Sequence, residues 1–443
     1  MHIYSLSFLF LFLPASAVLY YLMPARGKTI ALFFISLYFM ATLSLVGLGI
    51  MLGSVAVDYL LSKPVYFYGK GDRRAKAALY ACAVKNILLF TVLSSISQLG
   101  LMQMPVGVLV YAFTALGYVS DLYNGEIDPA RNFWEFGLFC CFFGKLYIGP
   151  IVSFSSFSKQ LAARRPSMSQ ISQGVSWLLH GLAKQLILAD SILVLAKQFK
   201  DIPYLEKTVL SVWLLIACYV FYAYYSLSGY SDMARGTGAI LGIDLPENFH
   251  YPLQADSVTD FFSRFNISAN RFVRKYVYSA LGAQDNGRLP TTLNIMLITM
   301  LMGLWYGIGL NHLVWGAFLG VFIVLETLFE ESFFRRIRPF FRHVYTFVVV
   351  ILSFAWYSSR SISQALFYLQ AMFGLRAHIS LVNNQCLYLL HSNWLLLLAC
   401  ALFCTNFFSV AFKRLQLKSP LFSQILSLLE NLIILVLILA FLL

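Results

Sequence analysis

Long apolar runs alternate with short polar segments along the whole chain. A helix needs about 20 apolar residues to cross a bilayer, and runs of this length recur in the sequence. The candidate spans lie at 5–23, 29–52, 78–97, 103–120, 133–153, 174–196, 207–229, 291–325, 344–357, 386–408 and 420–442. The run at 291–325 is long enough for two helices, and interrupted runs near 50–62, 234–243 and 361–374 predict half-helices.

This pattern predicts an all-α polytopic membrane protein with about 11 transmembrane helices. Re-entrant or interfacial half-helices are expected around a central channel, because polar backbone at membrane depth is tolerated where it lines a cavity. The apolar runs are too long for the strands of a membrane barrel. No soluble segment intervenes, so we expect one integral membrane domain over residues 1–443.

The amino-acid composition also indicates a membrane protein. Of the 443 residues, 60% are hydrophobic and only 12% are charged, whereas a soluble domain carries about 25% charged residues. Because so few charged residues cannot cover a soluble surface, most of the exterior is expected to face the lipid bilayer. The seven cysteines show no C-x-x-C spacing, and we expect no metal site.

The net charge of +13 comes from basic residues that lie in short clusters between the apolar runs. These clusters lie at 63–76, 159–165, 335–342 and 413–418. Short loops rich in Lys and Arg are typical of the cytoplasmic side of a membrane, and they can bind anionic lipid head groups. The charge therefore favours lipid contact, and we do not expect nucleic acid as a partner.

Residues 229–290 differ from the rest of the chain because they are mixed in polarity between two apolar stretches. Pro246 disfavours helical geometry in the residue before it. Ser257, with Asp260 three residues later, predicts a new helix start with an acidic variant of the capping box. Three arginines follow this start: Arg264, Arg271 and Arg274. A functional role is favoured here over a plain loop.

A second unusual segment is the apolar stretch G-L-W-Y-G-I-G-L-N-H-L-V-W-G at 303–316. It contains small residues, aromatic residues and one imidazole, His312. A histidine inside hydrocarbon is costly, so it is expected to face the protein interior or a wet cavity.

Several sequence blocks resemble the membrane-bound O-acyltransferase family, in the bacterial branch that includes alginate O-acetyltransferases and teichoic-acid D-alanine transfer proteins. The similar blocks are G-Y-S-D-M-A at 229–234, L-P-E-N-F at 245–249, D-F-F-S-R-F-N-I-S at 260–268 and G-K-L-Y-I-G-P-I at 144–151. Four blocks occur in the family's order, and the most family-like part of the chain is 140–325.

The resemblance implies an enzyme that moves an acyl group from a cytoplasmic thioester donor toward a cell-envelope polysaccharide or teichoic-acid-type acceptor. It implies acyl-CoA or an acyl carrier protein as co-substrate, with no tightly bound cofactor. It also implies an acyl carrier protein or an extracytoplasmic acyl-transfer protein as partner, and a multi-pass position in the inner (cytoplasmic) membrane.

The chain departs from this family at its histidines. Where the family pattern has histidine, this sequence has Asn266, Tyr306 and Leu319. None of these side chains is an effective base at neutral pH. A catalytically degraded homologue that acts as a scaffold or as an acyl or lipid conduit is therefore the alternative. An unrelated transporter, suggested by the interrupted helices, is a third possibility.

Two other histidines are candidates for the catalytic base. His312 lies seven residues before Leu319, which places it two helical turns away on nearly the same face. Its imidazole would take the proton of the acceptor hydroxyl, or it would instead bond a neighbouring helix. His250, beside Glu247, is the second candidate, with a loop contact as its alternative.

The remaining candidates are assigned to substrate binding. The substrate channel is expected to include Asp232, Asn266, Trp305, Tyr306 and Trp315. Asp232 is costly in an apolar run unless it is paired, and Arg235 is its expected partner. Guanidinium groups suit phosphate, so an acyl-donor site is expected at Arg264, Arg271 and Arg274. A plain interfacial role for these three arginines is equally open.

Overall fold

The computed structural model describes residues 1–163, 167–278, 288–329, 336–376, 379–416 and 420–442. Within these ranges the chain forms helices and loops, and its one β-type feature is an isolated antiparallel bridge between Phe249 and Phe265. The predicted all-α fold class is confirmed. Parts of three basic clusters lie outside the described residues, including Arg164, Arg335 and Lys418.

The α-helices are numbered in chain order over the described residues. They are α1 (Leu13–Leu22), α2 (Lys28–Leu43), α3 (Leu45–Tyr68), α4 (Arg73–Gln98), α5 (Val108–Asn124), α6 (Phe133–Cys141), α7 (Phe154–Ala163), α8 (Met168–Ala183), α9 (Asp190–Asp201), α10 (Val209–Ile240), α11 (Val258–Arg264), α12 (Ile267–Phe272), α13 (Arg288–Tyr306), α14 (Leu310–Phe329), α15 (Pro339–Tyr357), α16 (Ile362–Met372), α17 (Asn384–Phe403), α18 (Phe407–Gln416) and α19 (Pro420–Leu442). Short π-helical segments lie at Phe8–Phe12, Lys184–Ala189 and Val273–Tyr278, and 3-10 turns at Phe143–Lys145 and Pro252–Gln254.

Seven helical stretches of the described chain are long and apolar enough to cross a membrane. They are Leu45–Tyr68, Arg73–Gln98, Met168–Asp201, Val209–Ile240, Leu310–Phe329, Pro339–Tyr357 and Asn384–Phe403. Four shorter apolar helices lie at Phe8–Leu22, Lys28–Leu43, Thr291–Tyr306 and Ser427–Phe441. Large apolar side chains such as Leu22, Phe67 and Val436 are exposed on these helices, as expected for a surface that meets lipid. The protein is therefore a multi-pass membrane protein.

Two predicted boundaries were wrong in the first part of the chain. The predicted half-helix near 50–62 is part of the full-length α3. This helix begins after Ser44, because the Ser44 side chain caps it by accepting a hydrogen bond from the Gly47 amide. The predicted span at 133–153 ends at Cys141 after nine residues. The following segment contains Gly149 and Pro150, which do not favour a continuous helix.

The predicted break near residue 229 was also wrong, because α10 runs unbroken from Val209 to Ile240. Its glycines are packing positions. A Cβ added at Gly236 would lie 2.5 Å from the carbonyl oxygen of Gly174, so only glycine permits this backbone approach.

The chain divides into two compact units. The first comprises Met1–His180 and Tyr230–Glu247, and the second comprises Gly181–Gly229 and Asn248–Leu443. The expectation of one integral membrane domain stays a prediction.

A phenylalanine cluster joins the amino-terminal helices of the first unit. The ring centroid of Phe143 lies 5.2 Å from that of Phe12 and 5.7 Å from that of Phe39. The Phe143 amide also donates to the Ser36 hydroxyl at 3.2 Å. These contacts fix the short turn after α6 against α2.

A buried ion pair joins α3 and α4 of the first unit. The Lys85 Nζ atom lies 2.7 Å from Oδ2 of Asp58, whose side chain is fully buried. Cys82 and Asn86 donate hydrogen bonds to the other carboxylate oxygen of Asp58, at 3.2 Å and 3.1 Å. Charged groups within spanning helices are costly unless paired in this way, and the sequence pattern alone did not predict the pair.

Candidate active site

The hairpin of α13 and α14 forms one wall of the site in the second unit. The predicted division of 291–325 into two helices is confirmed, with the break at 307–309. A Cβ added at Gly316 would lie 2.2 Å from the Thr299 carbonyl oxygen, and one at Gly303 would lie 2.2 Å from the His312 carbonyl oxygen. The glycines therefore allow the two backbones to approach closely. Tyr306 ends α13, and His312 lies in the first turn of α14 rather than in the middle of a span.

The link between α11 and α12 forms the opposite wall. Asn266 lies at this link with φ 56°, in the left-handed region that asparagine tolerates better than most residues. The buried Asn248 holds the link in place. Its carbonyl oxygen accepts from the Ile267 amide at 2.9 Å, and its side-chain Oδ1 accepts from the Ser268 amide at 2.7 Å.

A hydrogen-bond chain connects the two walls. Asn248 Nδ2 donates to Asn266 Oδ1 at 3.1 Å, and Asn266 Nδ2 donates to the Tyr306 hydroxyl oxygen at 3.0 Å. Both asparagine side chains are buried. Two of the three residues predicted to stand at histidine positions of the family pattern are therefore in direct contact in this protein.

Aromatic rings surround this contact. The rings of Tyr306 and Trp315 meet edge to face with centroids 5.5 Å apart, and Tyr357 lies 5.2 Å from Trp315. The buried Trp315 indole donates its N–H to the Ser353 hydroxyl at 3.1 Å. We call Tyr306, His312, Trp315 and Tyr357 the aromatic cluster.

His312 is the candidate base that lies within the aromatic cluster. Its ring meets that of Tyr357 edge to face at 5.6 Å, so Tyr357 connects it to the rest of the aromatic cluster. A Cβ added at Gly307 would lie 2.6–2.9 Å from three imidazole atoms, so the ring rests directly on that glycine. Its Nδ1 atom is buried and has no hydrogen-bond partner among the described residues. Leu319, at the family's other histidine position, is buried on the same helix.

Glu326 is a residue of this region that the sequence reasoning missed. Its buried carboxylate accepts from the Val258 amide at 2.6 Å, from the Thr259 amide at 2.9 Å and from the Thr259 hydroxyl at 2.7 Å. These groups begin α11, so α14 holds the start of the helix that leads to Asn266. An acidic residue within the apolar run of α14 was the signal in the sequence.

The predicted start of α11 is confirmed. The Ser257 hydroxyl accepts from the Asp260 amide at 2.9 Å. Arg342 of α15 pairs with Asp256, and His343 bonds the Ala255 carbonyl at 3.1 Å. The turn before α11 is therefore held by α15, and the first residues of α11 are held by Glu326 of α14.

The three candidate arginines lie on one short stretch, but they differ in their surroundings. Arg264 Nε lies 2.8 Å from Oδ1 of Asp260, one helical turn away, so its guanidinium is already engaged. Arg271 and Arg274 are exposed at the end of α12 and in the π-helical segment that follows. Exposed guanidinium groups are available to an anionic ligand, and the role of all three stays a prediction.

Three further candidates lie outside the hydrogen-bond chain. His250 is exposed, and its backbone amide donates to the Arg264 carbonyl at 3.0 Å. Asp232 is half-buried on α10 within the first unit, where the guanidinium of Arg235 lies 3.8 Å from the Trp177 ring centroid. Trp305 is half-buried beside Tyr306. Their predicted roles, like the central channel, stay predictions.

Fold and site together define a class. This is a multi-pass helical membrane protein with a buried polar site formed by a helical hairpin and an irregular, polar segment. Residues 128–369, more than half of the chain, match the family model of the membrane-bound O-acyltransferases. The chain therefore belongs to the membrane-bound O-acyltransferase family, and the resemblance seen in the sequence blocks is confirmed.

Several curated relatives span most of the chain. The probable alginate O-acetylase AlgI of Pseudomonas fluorescens is 30% identical over 369 residues, which cover 81% of this chain and 72% of that protein. The peptidoglycan O-acetyltransferase of Helicobacter pylori is 24% identical over 429 residues, covering 83% of this chain and 79% of that protein. The teichoic acid D-alanyltransferase of Bacillus subtilis is 22% identical over 236 residues, covering 51% and 59%.

Proposed function

We propose that this protein transfers an acyl group from a cytoplasmic thioester donor to a hydroxyl group of a cell-envelope polysaccharide or teichoic-acid-type polymer. The donor is acyl-CoA or an acyl-loaded acyl carrier protein, and no tightly bound cofactor is required. The protein works in the inner (cytoplasmic) membrane with an acyl carrier protein or an extracytoplasmic transfer protein as partner. The relatives support this acceptor class, since they are a probable alginate O-acetylase, a peptidoglycan O-acetyltransferase and a teichoic acid D-alanyltransferase.

The observation that carries the proposal is the hydrogen bond between Asn266 and Tyr306. These residues come from two motifs 40 positions apart in the chain, and both replace histidines of the family pattern. A chain that had lost all use for this site would need no pair of polar side chains there, because polar groups in a membrane interior are costly unless they are paired.

The reaction would proceed by general base catalysis. His312 takes the proton of the acceptor hydroxyl, and the oxygen then attacks the thioester carbonyl carbon. A carbon–oxygen bond forms, the carbon–sulfur bond breaks, and the departing thiolate takes up the proton. The products are an oxyester and a free thiol. Arg264, Arg271 and Arg274 would hold phosphate groups of the donor.

The replaced histidines favour one alternative function. If Asn266, Tyr306 and Leu319 have abolished the chemistry, the protein would serve as a scaffold or as an acyl or lipid conduit within an envelope-modifying complex. Leu319 supports this alternative most directly, since its side chain is buried and cannot move a proton.

The test uses the full chain in liposomes. Radiolabelled acetyl-coenzyme A or acetyl-loaded acyl carrier protein is supplied with alginate, peptidoglycan or teichoic-acid fragments, with membranes of the source cell added as a supply of partners. Label recovered as alkali-labile ester measures transfer. We expect transfer by the wild type and a loss of about 10²–10⁴-fold in His312→Ala, the range of a general base.

A surface histidine provides the control. His391→Ala changes an exposed residue of α17 and should transfer at the wild-type rate. Transfer that survives in both His312→Ala and His250→Ala would overturn the assignment of the base. No transfer with any donor, acceptor or added membrane would overturn the proposed acyl transfer and favour the scaffold alternative.

A further inference from the structure

The hydrogen bonds around Asn266 have a fixed direction. The Ser268 backbone N–H can only donate, so the Asn248 atom that it contacts must be the carbonyl oxygen Oδ1. The other Asn248 side-chain atom is then the amide nitrogen, which must donate to Asn266 Oδ1. The remaining Asn266 atom is again a nitrogen, and it donates to the Tyr306 oxygen. Amide orientation is thus set by one backbone group.

This direction leaves the hydroxyl proton of Tyr306, at the end of the hydrogen-bond chain, without an acceptor among the residues that the structure describes. The Tyr306 oxygen accepts from Asn266, so its own O–H proton has to be donated elsewhere. No acceptor for that proton lies within hydrogen-bond distance in the described part of the chain. A tyrosine side chain is a neutral phenol at neutral pH, so the proton is present.

The surroundings hold the phenol in place. Its ring is packed against Trp315 at 5.5 Å, Phe265 at 6.1 Å and Tyr357 at 6.2 Å between centroids. A hydrogen bond accepted by a hydroxyl oxygen also polarises its O–H bond and makes it a stronger donor. The chain Asn248–Asn266–Tyr306 is therefore built to present one hydrogen-bond donor.

We propose that the Tyr306 hydroxyl donates a hydrogen bond to the carbonyl oxygen of the acyl thioester and stabilises the oxyanion formed there. The inference rests on the proposed acyl-transfer function. When the acceptor oxygen attacks, the π electron pair of the thioester carbonyl moves onto the carbonyl oxygen, and the Tyr306 O–H donates its hydrogen bond to the negative charge formed there. When the carbon–sulfur bond breaks, the carbonyl re-forms. Tyr306 keeps its proton throughout, so it acts as an electrophile where the family pattern has histidine.

Two substitutions test in different ways whether the hydrogen bonds run from Asn248 through Asn266 to Tyr306. Tyr306→Phe keeps the ring and removes the donor, and it should lower kcat by about 10²–10³-fold with a small change in the KM for the thioester. Asn266→Asp puts a carboxylate beside the phenol. Because a carboxylate only accepts, it would accept the hydrogen bond of the Tyr306 O–H in place of the thioester carbonyl, and the variant should lower kcat to a similar extent. The exposed Tyr388 of α17 provides the matched control, and Tyr388→Phe should transfer at the wild-type rate.

A spectroscopic measurement does not depend on turnover. Acetyl-coenzyme A labelled with ¹³C at the carbonyl is bound to the full chain, and its carbonyl stretching band is recorded by infrared difference spectroscopy. A hydrogen bond to the carbonyl oxygen lowers the frequency of this band. We expect a lower frequency in the wild type than in Tyr306→Phe and Asn266→Asp, each checked for monodispersity in detergent.

The outcomes separate the inference from the proposed function. Wild-type transfer with full activity in Tyr306→Phe would overturn the role of Tyr306 and leave the acyltransferase function intact. Absence of transfer in the wild type would remove the proposed function. In that case the infrared measurement still tests the role of Tyr306, because it needs no turnover. A carbonyl band at the same frequency in the wild type and both variants would overturn the inference.

Discussion

At the scale of single residues, the most unusual side chain outside the site is Lys145. It follows α6 in a 3-10 turn, outside the helices long enough to cross a membrane, and it is fully buried. Its ammonium group lies 4.5 Å from the Phe139 ring centroid and 5.5 Å from that of Phe157, and it has no hydrogen-bond partner among the described residues. Burial lowers the pKa of Lys145 from 10.5 to about 8.

This lowered pKa predicts a dependence of stability on pH. The unfolded chain keeps the Lys145 proton up to about pH 10.5, whereas the folded protein loses it near pH 8. Between these values the unfolded state binds more protons, so the free energy of unfolding rises with pH. Below pH 8 the charged form is penalised in the folded state by about 3 kcal/mol, offset in part by the aromatic rings.

Lys145→Met should therefore raise the thermal unfolding temperature in detergent at neutral pH, because methionine also packs well against aromatic rings. The advantage over the wild type should shrink as the pH approaches 10. An advantage that is the same at every pH would show that Lys145 does not titrate in the folded protein. The exposed Lys70 offers the control, and Lys70→Met should show neither effect.

Glu326 supports a second residue-scale prediction. Its carboxylate accepts three hydrogen bonds from the start of α11, so Glu326→Ala leaves two backbone amides without their acceptor. We expect the free energy of unfolding to fall by about 2–4 kcal/mol. The thermal unfolding temperature measures this loss. Glu206→Ala, at an exposed glutamate, should change it little, and an equal shift in the two variants would contradict the role of Glu326.

At the scale of elements, the site depends on the close packing of α13 and α14. Gly316 lies against the backbone of Thr299, and an added methyl group would meet a carbonyl oxygen that cannot move aside. Gly316→Ala should therefore push the helices apart, move Tyr306 away from Asn266 and lower stability by about 1–3 kcal/mol.

A helical glycine with free space around it controls for this substitution. An added methyl group at Gly49 of α3 would meet nothing within 4 Å. Gly49→Ala should keep or slightly raise stability, because alanine favours helix more than glycine does. Unfolding temperatures and acyl transfer are compared in the two variants. Full activity in Gly316→Ala would show that the close approach is not required for the site.

At the scale of the whole molecule, the main prediction concerns orientation in the membrane. The turn between α3 and α4 carries the basic residue Lys70, and α4 begins with Arg73 and Arg74; this basic end favours the cytoplasmic side. Because α4 is long enough to span the membrane, Leu101 beyond its other end should face the opposite side.

Cysteine labelling measures this orientation. The seven native cysteines are buried, so they should react little with a membrane-impermeant maleimide. Lys70→Cys should be labelled in inverted membrane vesicles, and Leu101→Cys in intact spheroplasts. Labelling of both variants from the same side would contradict α4 as a membrane-spanning helix. Reversed labelling would place the basic loops outside the cytoplasm.

The sequence by itself determined the fold class and the family. Apolar runs of membrane length require helices, because a lone segment in lipid must satisfy its own backbone hydrogen bonds. A local signal was also sufficient for the start of α11 at Ser257, and the length of the apolar run at 291–325 was sufficient for its division into two helices. Both can be read from one continuous stretch of the chain.

Only the tertiary structure decided which groups meet. The contact between Asn266 and Tyr306, the hold of Glu326 on α11 and the pair between Asp58 and Lys85 each join residues far apart in the chain. Hydrophobic periodicity reports which face of a helix is buried, but it carries no information on which polar groups lie opposite each other. The glycines of α10 show the same limit, since the sequence predicted the end of a span at residue 229, whereas the helix continues and Gly236 is a packing position within it.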